Sequence, residues 1–169
     1  SFTYAIEFKW DAFNRLKETN GIKYLYDAKH RRIAKADAQT GEVYRVYVYH
    51  GWKMIAIYSG QGRLLFEFVD GPNYIDEHLF FISYKNDPAG EKYYYIQSPV
   101  NYNIEAIVNE DGEIVEKYEY TAYGEPTVRD ADGNEIEWSI SATRTVSTGG
   151  SGTLKAIYTT SVIVCTHLR

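Results

Sequence analysis

The chain has 169 residues, one domain's worth and long enough to bury a real core. Its 23 acidic and 18 basic residues are interspersed, giving a formal net charge of −5, and this excludes the clustered basic face of a nucleic-acid binder. A single cysteine, Cys165, excludes an intrachain disulfide and a cysteine-rich zinc site, and no apolar run is long enough for a bilayer span.

The excess is aromatic: 17 Tyr, 7 Phe and 3 Trp. Such residues suit a pleated, half-buried surface where a ring packs and a hydroxyl stays wet, so the first expectation is a β protein. The chain opens as SFTYAIEFKW, without the basic start and apolar segment of a signal peptide and already in a strand-like pattern. That opening points to a piece of a longer protein.

Residues 2–10 alternate as a strand, 11–14 turn, and 15–18 begin the return. Asn20-Gly21 is a second turn, and 22–26 another strand. Residues 28–35 carry helix formers, but so short a run between strands reads as turn and strand. After the turn at 39–41, residues 42–49 alternate through Val43, Arg45, Tyr47 and Tyr49. His50-Gly51 ends that strand, 52–58 form the next, and 59–62 turn the chain into 63–69. The DGPN segment at 70–73 is a true break. Strands at 79–84 and 92–96 flank a loop, 86–90, with proline and glycine at turn positions. Ser98-Pro99 interrupts before residues 104–125, the clearest hairpin signal, where alternating runs flank Asp111-Gly112. Ile104, Ala106 and Val108 are expected on one face there, and Glu116 alternates in phase with Ile114, Tyr118 and Tyr120. Another turn follows at 130–134, and no amphipathic helix of useful length is present.

The same words recur. Trp10-Asp11 precedes Asn14-Arg15-Leu16; Tyr24, Tyr26 and Asp27 precede Arg31-Arg32-Ile33; Tyr47, Tyr49, His50 and Gly51 precede Met54-Ile55; Gly62-Arg63-Leu64 fits the second half. The pattern is aromatic, spacer, aromatic, Asp, turn, then Arg and an aliphatic residue. Aromatics at i and i+2 share a sheet face, Asp starts the turn, and Arg opens the returning strand. One such hairpin cannot bury its own face and needs stacked neighbours.

This wording resembles the tyrosine-aspartate (YD) repeats of Rhs proteins, also found in the Tc-toxin shell component and in teneurins. Downstream, GPNYIDE at 71–77, EKYYYIQ with Tyr93 and Tyr95, and EAIVNEDGEIVEKYEYTAYGE resemble the Rhs repeat-associated core domain in order and spacing. The last carries Asp111, Gly112, Tyr118, Tyr120, Tyr123 and Gly124. QSPVNYN at 97–103 stands where the family has an Asp-x-x-Gly-Ser turn. The resemblance covers roughly residues 4–125. It implies a secreted or cell-surface β-shell segment enclosing a toxic C-terminal polypeptide of the parent protein, with other YD-repeat segments as partners.

After YGE the family leads one to expect a segment resembling GNPYRFNGREWD. The chain has instead a Ser-, Thr-, Val- and Gly-rich tail from Ser141 onward. Each codon shifted by one base remains compatible with the family segment in the right order, so this tail reads as a frameshifted ending. The expected division is therefore 1–138 as YD-repeat and core region and 139–169 as a β-prone tail.

Candidate chemistry is thin. His30, His50, His78 and His167 lack metal-ligand spacing. Asp76-Glu77, read on a strand, face opposite ways and cannot converge. Asp87-Pro88-Ala89-Gly90 reads as a loop, although it resembles the DPxGL motif at which some Rhs shells cleave themselves. Gly60-Gln61-Gly62 lacks the further glycine and helix of a phosphate loop. Cys165 lies in the anomalous tail. The expectation is thus an all-β fold of successive antiparallel hairpins in a curved open sheet, a fragment of a β-shell. It is structural and not an enzyme, without cofactor, metal, nucleic acid or membrane span. Its exposed edges call for self-association or for the tail folded across an edge. The rival reading is an aromatic-surface carbohydrate- or protein-binding module, though aromatic ladders across strands account for the tyrosines without a ligand.

Overall fold

The structure is a computed structural model that describes residues 7–124, 126–136 and 139–140, and the backbone of two short strands beyond them. Every regular element among the described residues is a β-strand. No helix among them is long and apolar enough to cross a membrane, which leaves strand-crossing unaddressed. Contacts divide the chain into two compact units, Ser1–Phe68 and Val69–Arg169. The division falls beside the DGPN segment.

In the first unit, β1 (Phe8–Trp10), β2 (Leu16–Thr19), β3 (Ile22–Tyr26), β4 (Arg32–Asp37), β5 (Val43–His50), β6 (Lys53–Ser59) and the first five residues of β7 (Leu64–Asp70) follow one another, Val69 and Asp70 falling in the second. Each strand pairs antiparallel with the next, β7 through its first half. Residues directly opposite one another share a face, which builds rows across the strands. Tyr47, Ile57 and Phe66 make one such row, all buried, with Phe66 fully enclosed.

The second unit contains β8 (His78–Ser83), β9 (Glu91–Gln97), β10 (Ile104–Val108), β11 (Ile114–Tyr120) and β12 (Pro126–Asp130), again paired antiparallel in chain order. Here Phe81 lies opposite Tyr93 with stacked rings 5.2 Å apart, and Tyr95, Ile107, Glu116 and Asp130 form the next row. Tyr118 and Val128 make a third. Beyond β12 the chain turns at 130–134 and runs back along it: Glu135 bridges Arg129, and the Ile136 N–H donates to the Val128 carbonyl at 2.9 Å. The backbone of β13 (Ala156–Tyr158) and β14 (Ile163–Cys165) forms a separate antiparallel pair.

All-β character and a succession of antiparallel hairpins are thus what the chain adopts. Strand limits lie within a residue or two of the alternation. Of the 2–10 run only residues 7–10 are described, and Phe8–Trp10 form β1. One strand escapes the alternation entirely. β12 begins on a proline, tolerated at a strand's first residue, and exists because β11 offers it an edge. The hairpin at residues 104–125 also differs in detail. Ala106 and the neighbouring Ile107 are both buried, because the register shifts on both sides of β10.

Candidate functional site

The recurring Asp is the keystone of a turn. Asp11 Oδ1 accepts the N–H groups of Phe13 (2.9 Å) and Arg15 (3.0 Å), while Oδ2 accepts Arg15 Nε and Nη2, both at 2.7 Å. The Asn14 N–H donates to the Asp11 carbonyl, and the Asp11 N–H to the Arg15 carbonyl. Sixteen residues later the arrangement repeats. Asp27 Oδ1 accepts Lys29 N–H and Arg31 N–H, both at 2.9 Å, and Oδ2 accepts Arg31 Nε (2.7 Å) and Nη2 (2.6 Å). The fourth residue takes a left-handed backbone in each, Asn14 at φ 58° and His30 at φ 62°. That residue, the closing hydrogen bond and the register shift at the end of the strand are the form of a three-residue hairpin loop with a bulge.

Other turns keep the frame and vary the clamp. Ser59 accepts the Arg63 N–H on Oγ, with Gly62 left-handed; Asp130 binds Asn134 through both carboxylate oxygens, with Gly133 left-handed. At the central hairpin the opener is Asn109, not Asp111. Asn109 Oδ1 accepts Asp111 N–H (3.1 Å) and Glu113 N–H (2.8 Å), and Gly112 supplies the left-handed position. Asp37 uses a third variant: Oδ1 accepts Gln39 and Thr40 N–H groups, and Oδ2 accepts the Tyr44 hydroxyl at 2.7 Å.

The arginines join one turn to the next. Arg15 lies over the rings of Phe13 (5.0 Å) and Tyr26 (4.7 Å), and its Nη1 reaches the Asp27 carbonyl at 3.5 Å. Arg31 lies over Tyr49 (4.9 Å) and donates to the Gly51 carbonyl. In return the Tyr26 hydroxyl donates to the Leu16 carbonyl (2.8 Å) and the Tyr49 hydroxyl to the Arg32 carbonyl (3.0 Å). Tyr26, ahead of its turn, therefore serves Arg15 of an earlier turn, as Tyr49 serves Arg31, while Asp27 serves its own Arg31. This explains the Tyr-Asp order in physical terms. Arg32, which the repeat pattern singled out, has another place, over Tyr24 (5.6 Å) and Tyr47 (5.3 Å). Arg31, quoted beside it in the repeat, is the one that holds the turn, and its signal was the Asp-x-x-x-Arg spacing shared with Asp11 and Arg15.

Electrostatics follow the bonding. Desolvation pushes the Asp11 and Asp27 carboxyls up, but the backbone and guanidinium bonds from Arg15 and Arg31 outweigh it, and both lie below the usual range. Asp37 is lowered to about 2 by the Thr40 N–H, the Tyr44 hydroxyl and the Gln39 N–H. Burial raises the Tyr26 and Tyr49 hydroxyls against the opposing pull of Arg32 and the turn arginines.

In the second unit, the Tyr93 hydroxyl donates to Glu91 and is pushed up to about 12 by burial and that carboxylate. Burial, with Asp70 and Glu116 nearby, raises the Tyr95 hydroxyl well above its ordinary value. The Tyr120 hydroxyl donates to the Ile104 carbonyl at 3.0 Å. Tyr123 is 91% exposed in a turn that ends on the left-handed Gly124. Tyr118 meets the least expected residue of the chain, Glu116, which is buried with Ser139 and Ile140 against its carboxyl. Its phase with Ile114, Tyr118 and Tyr120 was the one sign in the sequence, and what covers it was not legible there.

The remaining candidates are structural. Asp70 pairs with His78 at 2.6 Å, and His30 packs edge-on to Phe13. Glu77 accepts the Asn73 N–H and side-chain amide inside the 71–77 loop, and the Asp76 carbonyl accepts Gln97 Nε2. Asp87 caps its own loop through the Ala89 N–H. Gly60 stands where an added Cβ would lie 1.6 Å from the Val43 carbonyl oxygen, so close backbone approach explains this glycine. His167 lies outside the described residues, as do the side chain of Cys165 and most of the tail. Among the described residues no group of three or more His, Cys, Asp or Glu side chains is placed to hold a metal ion. Trp10, at the end of β1, Phe13 and Trp52 remain more than half exposed. No protein-family model matches the chain, and no curated protein matches it.

Proposed function

We propose that the chain is a structural segment of a YD-repeat shell of the Rhs type, part of a wall that encloses a C-terminal toxin of the parent protein before delivery, with no catalysis of its own. One observation carries this reading: in two turns, Asp11 and Asp27 are each bound by their own Arg, and Arg15 and Arg31 in turn lie on the ring of Tyr26 or Tyr49 and reach the backbone carbonyl of Asp27 or Gly51 in a later turn. A motif whose Asp fixes its own turn and whose Arg and Tyr join that turn to another is a device for extending a wall. Its partners are other repeat segments of the same shell, its place is secreted or at the cell surface, and its tail from Ser141 is a shifted reading frame.

Imaging the protein encoded by the whole locus by electron microscopy tests the shell. The expected result is a hollow particle with density inside, and a solid or extended particle overturns it. The encoding DNA tests the tail, since a frame shifted by one base must spell a GNPYRF-like segment. The rival reading, a carbohydrate-binding aromatic surface, draws on exposed Trp10, Phe13 and Trp52. Saturable binding on a glycan array, lost in Trp52→Ala, would establish that reading in place of the wall.

A further inference from the structure

Glu116 is 4% exposed on β11, with Ile107 opposite it on β10 and Asp130 opposite on β12. Its Oε1 accepts the Ile140 N–H at 2.5 Å. Its Oε2 lies 2.8 Å from the Tyr118 hydroxyl and 2.7 Å from Ser139 Oγ, and those two hydroxyl oxygens are 2.6 Å apart. Three oxygens therefore form a closed triangle with every edge at hydrogen-bond length.

The triangle can be counted in protons. Tyr118 and Ser139 bring one each, and an ionised carboxylate brings none. Two protons then serve three edges, and one edge sets lone pair against lone pair. A proton on Oε2 completes the ring. Oε2–H donates to Ser139 Oγ, Ser139 donates to the Tyr118 oxygen, Tyr118 donates back to Oε2, and Ile140 N–H stays on Oε1.

We propose that Glu116, Tyr118 and Ser139 form a proton-closed clasp that ties the chain at Ser139–Ile140 to β11, tightening when the carboxyl takes up a proton and loosening when it ionises. Burial favours the neutral form, and the groups around the carboxyl are these. On β9 they are the Tyr93 hydroxyl, itself bonded to Glu91, and the Tyr95 hydroxyl. Asp70, beside Tyr95, is paired with His78 of β8. Asp130 on β12 is negative, its carboxylate turned to Asn134. Ile107 on β10 is apolar, and Lys85 is the cation that favours ionisation. Burial, the largest influence, raises the carboxyl above its ordinary 4.5 despite the lowering effect of the Ile140 N–H, the two hydroxyls and Lys85. A carboxyl raised in the docked state supports docking fully below its ordinary value, and that support is lost as pH rises through the raised one.

Hydrogen exchange at the Ile140 amide, referred to its intrinsic rate at each pH, reads the clasp, and the carboxyl carbon signal of Glu116 reads the proton. Both are measured on the full chain. Titration above 4.5 is expected, with Ile140 protection falling about tenfold for each unit by which the carboxyl is raised. Glu116→Gln, whose amide N–H replaces the O–H donor, is expected to keep protection and abolish the pH step, and Glu116→Ala to lose protection altogether. Titration at or below 4.5, protection unchanged across the titration, or loss in Glu116→Gln equal to that in Glu116→Ala overturns the clasp. Should the Gln variant not fold, the two wild-type measurements decide.

Discussion

Truncating Ile107 tests the row that organises the second unit. Its side chain is fully buried, opposite Tyr95 on one side and Glu116 on the other. Ile107→Ala removes three carbons, worth about 2.4 kcal/mol at about 0.8 kcal/mol each. The strands are hydrogen-bonded on both sides and cannot close in fully, so a cavity term brings the expected loss to about 3–4 kcal/mol. Ile107→Val should lose about 1 kcal/mol, and Glu105→Ala, exposed on the same strand, no more than about 0.5 kcal/mol. Urea unfolding followed by circular dichroism gives the three values, and amide exchange in β10 and β11 locates the loss. A deficit below about 1 kcal/mol for Ile107→Ala, or one no larger than that of Ile107→Val, would refute the row as the core of this unit.

Arg31→Lys keeps the charge but cannot bring two N–H donors onto Asp27 Oδ2 while lying flat on Tyr49, so it should lower the melting temperature nearly as much as Arg31→Ala. Full retention in the Lys variant would mean that charge alone matters. The Asp37 carboxyl, depressed in the folded chain, contributes stability above its ordinary 3.8 that is lost as pH falls through about 2. Its carbon signal should titrate near 2, and Tyr44→Phe should move that midpoint upward by removing a donor; an unmoved midpoint excludes the bond. Gly60→Ala forces a Cβ onto the Val43 backbone and should destabilise by about 1–3 kcal/mol or more, measured by urea unfolding. Gly71→Ala meets the flexible Glu77 side chain, which can swing aside, so its smaller effect is the internal control.

Much of the architecture was legible because strands and tight turns are local. Val43, Arg45, Tyr47 and Tyr49 alternate, and β5 is where they do. Asp11 and Asp27 open turns because a short carboxylate reaches the two N–H groups that follow it, a matter of four residues and no distant partner. The Asp-Gly pair at 111–112 marked the right loop but the wrong opener. Asn109 lies two residues earlier, and like Asp11 and Asp27 it reaches the N–H groups two and four residues on.

The sequence by itself determined the all-β class, the hairpin order and the aromatic-Asp-Arg vocabulary, since each is written in alternation and turn chemistry within one hairpin. Only the tertiary structure decided what joins neighbours. Arg31, besides clamping its own Asp27, lies on the Tyr49 ring and reaches the Gly51 carbonyl 20 residues further on. Residues 126–130 became a strand because β11 presented unpaired backbone to them. Glu116 became buried because Ser139 and Ile140, 23 and 24 residues further on, return to its carboxyl. A charge on an alternating strand looks solvated until something covers it, and what covers Glu116 is distant chain.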